Sequence, residues 1–239
     1  MVTPSVPPGY ERISLPGIEA ITHATIAAEL GDVLSRGTIY EWASSRAQRT
    51  FAGRVPAYAT RLGDVPVVVR RNHHGGWLAS FRGERFARPR APRELDSAIR
   101  LAGAGVPTPD VLAYAVYAGG VLGKRSDVVT RELPAGYDLG ALLATSPPSA
   151  AQVDAVRALL DSLQRASAWH PDLNIKNVYL TDEAPPRAYV LDVDRVRFVS
   201  DARTAATRNA RRLLRSLDKR ARAGGADVPA LTSAVRGSA

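Results

Sequence analysis

Between His170 and Asn177 the chain reads His170-Pro171-Asp172-Leu173-Asn174-Ile175-Lys176-Asn177, and Asp192 follows fifteen residues later in Leu191-Asp192-Val193-Asp194. An Asp with an Asn at this spacing, then a second Asp beyond a short hydrophobic stretch, is the side-chain set of phosphoryl transfer. Asp172 is the candidate catalytic base, because a carboxylate against an acceptor hydroxyl orients it and accepts its proton. Asn177 and Asp192 are candidate metal ligands, oxygen donors of the kind Mg²⁺ takes; that ion needs only one or two protein carboxylates beside phosphate and water. An Asp- and Asn-rich turn would use the same residue types to bond nearby backbone. A turn alone does not account for what lies upstream.

There, Arg70 closes the apolar run Val67-Val68-Val69, at the place where kinases carry the lysine that holds nucleotide phosphates. Arginine keeps the charge and adds two parallel donors for phosphate oxygens. Arg71 is adjacent, and the pattern leaves open which of the two holds the phosphates. Glu94 is the candidate partner of that guanidinium. His170 positions its turn and is assigned no chemistry.

These residues need elements to hold them. Residues 1 to about 12 read as a Pro-rich tail, and Ile18 to Leu30 is ambiguous. Thr38-Ile39-Tyr40-Glu41-Trp42 and Val65 to Arg70 read as strands. Gly37, in Ser35-Arg36-Gly37-Thr38, falls where a phosphate-covering loop would be, its backbone amides able to cradle an anion. Pro92 to Leu101 reads as a helix with Pro early and acids in its first turn. Val111 to Val116 and Val121 to Glu132 read as strands, ending at Leu133-Pro134-Ala135-Gly136, the expected lobe boundary. Glu132 is placed by lobe order in the hinge whose backbone meets adenine. Beyond it come a short helix from Asp138 to Ala144 and a long one from an N-cap at Ser149 to about Ala168. A hairpin of 178–180 with 188–191 would present Asp192 next to Asn177. A final helix runs from about Asp201 to Ala223. The expected fold is therefore α+β: a nucleotide lobe over 1–133, mainly antiparallel β with one helix, and a short, mainly helical catalytic lobe over 134–239.

Composition narrows the partners. The 239 residues are 45% hydrophobic, enough for a real core, and contain no cysteine, so disulfides and thiolate metal sites are excluded. The four histidines are scattered and suggest no zinc site. No leader-like or membrane-spanning apolar run occurs, and the expectation is a cytoplasmic protein. A formal charge of +9 and a pI near 10.3 favour anionic partners. Arg203, Arg208, Arg211, Arg212, Arg215, Lys219, Arg220 and Arg222 crowd the last helix, and Arg82, Arg85, Arg88, Arg90 and Arg93 form a second cluster. A charge run is usually a solvated face. The alternative is an anionic membrane surface, where each nearby cation contributes about 1 kcal/mol.

The chain resembles the Kdo/WaaP family of lipopolysaccharide kinases, and within it the 3-deoxy-D-manno-octulosonic acid (Kdo) kinases. The resemblance spans roughly Ser35 to Lys219. It is carried by Arg36-Gly37-Thr38, Val69-Arg70 with Gly75-Gly76, Arg93-Glu94-Leu95, His170-Pro171-Asp172-Leu173-Asn174, Leu191-Asp192-Val193-Asp194-Arg195 and Arg215-Ser216-Leu217-Asp218-Lys219. It implies a two-lobed protein-kinase-like fold, ATP with Mg²⁺ or Mn²⁺, and a sugar hydroxyl of the lipopolysaccharide inner core as acceptor. For Kdo kinases that is the 4-hydroxyl of Kdo on Kdo-lipid A, at the cytoplasmic face of the inner membrane. Val193 and Asp194 replace the Phe and Gly of D-F-G, which puts activation-loop switching in doubt. Only 47 residues follow Asp192, with no recognisable A-P-E segment, so a small or lipid-linked acceptor is expected over a protein. The alternatives are a heptose kinase of the same core, another small-molecule kinase, and, outside enzymes, a basic nucleic-acid-binding module. No nucleic acid is expected, since no HTH, RRM or KH signature occurs and no aromatic interleaves the C-terminal arginines.

Overall fold

The computed structural model describes residues 5–53, 55–72, 90–118, 125–225 and 228–238. Gly75, Gly76, Arg82, Arg85, Arg88 and the expected start of a strand at Val121 lie outside them. Contacts divide the chain into two compact units, Met1–Asp96 with Asp110–Glu132, and Ser97–Pro109 with Leu133–Ala239. The third and last crossing falls at the start of the Pro/Gly stretch at 133–136. Residues 97–109, which the sequence reading put in the first lobe, group with the second. Their ties explain this: Val190 N–H donates to the Pro107 carbonyl at 2.9 Å, and Thr108 Oγ1 donates to the Val190 carbonyl at 3.0 Å.

The first unit is a seven-stranded antiparallel sheet with helices. Its strands are β1 (Tyr10–Leu15), β2 (Ile18–His23), β3 (Arg49–Phe51), β4 (Ala57–Leu62), β5 (Val65–Asn72), β6 (Val111–Tyr117) and β7 (Arg125–Arg131), in the order β1-β2-β6-β7-β5-β4-β3. Helices α1 (Ala27–Leu34) and α2 (Ile39–Ser45) follow β2, and α3 (Ala91–Gly103) begins between β5 and β6. Two expectations are corrected here. The Pro-rich tail stops short of residue 12, because Tyr10 already pairs with His23. The strand expected at Thr38–Trp42 is the helix α2.

The reason lies outside the segment. Thr38 Oγ1 caps α2 by accepting from Glu41 N–H, and Ile39 and Ala43, one helical turn apart, are fully buried. The first-turn donors of Ile39 and Tyr40, which a helix leaves unpaired, go to Tyr117 Oη at 2.9 Å and the buried Asp127 carboxylate at 3.0 Å. A β-branched and aromatic run therefore becomes helical because β6 and β7 supply its cap. Burial pushes the Asp127 carboxyl up in pKa, opposed by the Tyr40 N–H and by Arg71, whose Nε lies 3.2 Å away. The core gathers Ile26, Leu30, Leu34, Ile39, Val67, Val69, Leu112 and Val129 between α1, α2 and the sheet.

In the second unit, β8 (Gly136–Asp138), β10 (Val178–Thr181) and β11 (Ala188–Val190) form one sheet. A short pair joins β9 (Ala168–Trp169) to β12 (Arg197–Phe198). Around them are α4 (Leu139–Thr145), α5 (Ala150–Arg165), α6 (Ala202–Arg222) and α7 (Pro229–Gly237). Helix α5 has a full capping box, Ser149 with Gln152, and buries Val153, Val156, Leu159, Leu160 and Leu163. It packs on α6 and α7. Helix α7 is additional to the single final helix expected; it covers the core with Leu231, Ala234 and Val235.

Asp201 caps α6, accepting from Arg203 N–H, Thr204 N–H and Thr204 Oγ1. The Thr204 hydroxyl and amide hold its carboxyl below the ordinary value of 3.8. A depressed folded-state pKa means that the cap's contribution is present above the unfolded value and is lost as pH falls through the folded one. Asp201→Ala should thus lower the melting temperature at neutral pH. Paired thermal melts should show the gap to wild type narrowing in acid; a constant gap would count against the charged cap.

Candidate active site

The second unit holds the loop between β9 and β10. His170 is fully buried. Its Nδ1 accepts from Asp172 N–H at 3.2 Å, so the ring proton sits on Nε2, which donates to the Leu191 carbonyl at 3.0 Å. His170 N–H donates to Asn209 Oδ1 at 2.9 Å, and Asn209 Nδ2 donates to the Ala168 carbonyl at 2.8 Å. Ser216 Oγ accepts from Ile175 N–H at 3.2 Å. Two polar residues of α6 thus anchor both ends of the loop. Asn174 Nδ2 and Asn177 Nδ2 both donate to the Asp172 carbonyl, at 2.7 and 2.9 Å. With its backbone held from three sides, Asp172 has only its side chain left to move.

The hairpin β10–β11 pairs Val178 with Val190 and Leu180 with Ala188, and Leu191 N–H donates to the Asn177 carbonyl at 2.9 Å. That bond carries the ladder one step further, so Asp192 directly follows the residue paired with Asn177. Asp192 has φ 57° and ψ 55°, a left-handed conformation uncommon outside glycine but visited by Asp, whose short side chain bonds locally. With its Nδ2 committed, Asn177 offers Oδ1. Among the described residues no group of three or more His, Cys, Asp or Glu could cage a metal ion. One amide oxygen and one carboxylate instead fit an ion such as Mg²⁺, which keeps much of its shell as phosphate and water.

Asp172 is not alone. Arg195 Nη1 lies 2.9 Å from its Oδ2 and Arg212 Nη2 lies 3.5 Å from its Oδ1. Sequence reasoning passed over both as site residues. Arg195 stood within the Asp192 motif, and Arg212 was one of eight cations on a helix, with nothing in the sequence to single it out.

In the first unit, Arg70 on β5 forms an ion pair with Glu94 on α3, whose side chain is 2% exposed. Strand alternation sends Arg71 the other way, to Asp127 and over the Tyr40 ring at 4.3 Å. Of the two adjacent arginines, Arg70 is the one facing the helix. The strands β3, β4, β5, β6 and β7, with a helix after the third and an Arg–Glu pair joining that helix to that strand, reproduce a protein-kinase nucleotide lobe. In such a lobe the phosphate-covering turn joins the first two strands, here β3 and β4. Gly37 does not lie there. It sits in the turn between α1 and α2, lining a cleft of about 420 Å³ with the acids Glu29, Asp32 and Glu41 and the cations Arg36 and Arg46. Glu132 follows β7; its side chain pairs with Arg49 and its N–H donates to the Pro66 carbonyl at 3.0 Å. Any adenine contact from Glu132 backbone would fall to its carbonyl.

Comparison with known proteins identifies the family and the fold. The family model described as lipopolysaccharide kinase (Kdo/WaaP) family matches residues 49–234, from β3 into α7. A 3-deoxy-D-manno-octulosonic acid kinase of Vibrio parahaemolyticus serotype O3:K6 (strain RIMD 2210633) is 23% identical over 186 residues, 75% of this chain and 76% of that protein. Among solved structures, WaaP in complex with acyl carrier protein superposes with a TM-score of 0.52 at 20% identity, covering 79% of each chain. That likeness concerns the fold.

Proposed function

The chain belongs to the lipopolysaccharide kinase (Kdo/WaaP) family, and from that premise we propose that it phosphorylates the 4-hydroxyl of Kdo on Kdo-lipid A, using ATP and Mg²⁺. The observations that carry the reading are the anchored Asp172–Asn177 loop in the second unit and, in the first, the ion pair of Arg70 with the buried Glu94. Asp172 orients the acceptor hydroxyl and takes its proton. Arg70, held by Glu94, binds nucleotide phosphates, and the turn between β3 and β4 lends backbone amides to them. Asn177 and Asp192 would hold the metal, which when bound neutralises phosphate charge.

The choice of Kdo over heptose is supported by the named Vibrio relative at 23% identity. Location at the cytoplasmic face of the inner membrane is part of the same proposal. No helix among the described residues is long and apolar enough to cross a membrane, while α6 keeps Arg203, Arg208, Arg211, Arg215, Lys219 and Arg222 exposed. Such a face suits anionic headgroups.

The test is incubation of the purified protein with ATP, Mg²⁺ and Kdo-lipid A in neutral or anionic vesicles, read by mass spectrometry. One added phosphate is expected on the Kdo, faster on anionic vesicles and slower as salt is raised. If Kdo-lipid A stays unmodified while a heptosylated core gains phosphate, the acceptor assignment fails. Equal rates on both vesicles would remove the membrane role.

A further inference from the structure

Asp172 faces two guanidiniums with one carboxylate. Fold stability does not explain the arrangement. The side chains of Asp172, Arg195 and Arg212 are 40%, 50% and 35% exposed, and ion pairs this open contribute little to folding. Nor does Asp172 use up the arginines. Each guanidinium has five N–H donors, and the Nε of Arg212 is buried without a hydrogen-bond partner among the described residues.

We propose that Arg195 and Arg212 form an anion subsite that binds the carboxylate of a sugar-acid acceptor while Asp172 engages its hydroxyl. The proposal rests on the acceptor reading above and deepens it. A hydroxyl within hydrogen-bond reach of Asp172 brings its neighbouring substituents up to the two arginines on the same carboxylate. In a 3-deoxy-octulosonic acid the carboxylate on C2 and the hydroxyl on C4 stand in a 1,3 relation across the unsubstituted C3, close enough for one site to meet both. A guanidinium fork matches a carboxylate geometrically. Drawing the arginines toward the substrate also releases Asp172 Oδ1 and Oδ2 for the hydroxyl. A heptose has no carboxylate to offer, and two arginines left unmatched then discriminate against it.

The test compares Kdo-lipid A with its carboxyl-reduced analogue, in which C1 is a primary alcohol, as acceptors for the purified full chain. Wild type should lose about 10- to 100-fold in kcat/KM on the reduced acceptor, the worth of one or two charge-assisted hydrogen bonds. Arg195→Gln and Arg212→Gln should show a similar loss on Kdo-lipid A, with KM for ATP unchanged and little further loss on the reduced analogue. Equal use of both acceptors by wild type overturns the subsite, and that comparison needs no variant to fold. Unchanged discrimination in both folded variants overturns it too. Absence of any transfer to Kdo-lipid A is a different result: it removes the acceptor reading, and the subsite with it.

Discussion

Asp172→Asn is expected to lower kcat by about 10²- to 10⁴-fold, the range for a positioned general base, with ATP affinity and melting temperature close to wild type. The loop geometry predicts all three readouts. The Asp172 backbone is held by His170, Asn174 and Asn177, none of which touches the substituted carboxylate. An isosteric amide therefore keeps the loop in place and loses only the charge and the proton acceptor. The cost to folding is small, since the partners Arg195 and Arg212 are 50% and 35% exposed, and such open pairs contribute about 0–1 kcal/mol. Single-turnover kinetics beside nucleotide titration and a thermal melt would check this. Near-wild-type kcat would exclude Asp172 as the base, and a collapse of the melt would make the residue structural.

The second large effect concerns the first unit. Arg70→Met should destabilise the protein by about 3 kcal/mol and raise KM for ATP. Glu94 is 2% exposed and Arg70 27%, and removing one partner of a buried pair strands a charge at a cost of about 3–5 kcal/mol; the partial exposure of Arg70 argues for the low end. Adding Glu94→Gln to Arg70→Met should restore much of the stability, because a neutral amide needs no countercharge. ATP affinity should stay low in the double variant, because the phosphate-binding cation is still missing. A denaturant series with ATP kinetics on the three variants separates the two roles. Recovery of ATP affinity together with stability would reduce the pair to fold support.

Much of this was legible because it is local. The N-cap at Ser149, the i, i+3, i+7 face of α5 and the β10–β11 hairpin follow from spacing alone, since helix and strand periods act over a few residues. Arg70, Glu94, Asp172, Asn177 and Asp192 could be picked out because their chemistry is confined to a few residue types in a fixed order. What failed depended on distant partners. Ile39-Tyr40-Glu41-Trp42 has strand-forming residues, yet Tyr117 and Asp127, far along the chain, take its first amide donors and make it a helix. Gly37 was placed in a phosphate-covering loop next to a run read as a strand, and the structure puts it between the helices α1 and α2 instead.

The sequence by itself therefore pointed to the reaction class and nominated candidate residues for it, because oxygen donors, a carboxylate base and a phosphate-binding cation are recognised by side-chain type and order. Tertiary structure alone decided which of two adjacent arginines meets Glu94, through the alternation of β5 against α3. It also decided that Arg195 and Arg212, 17 residues apart, converge on one carboxylate. Convergence of that kind arises from how α6 packs behind the loop, and packing is a property of the folded chain that no local spacing encodes.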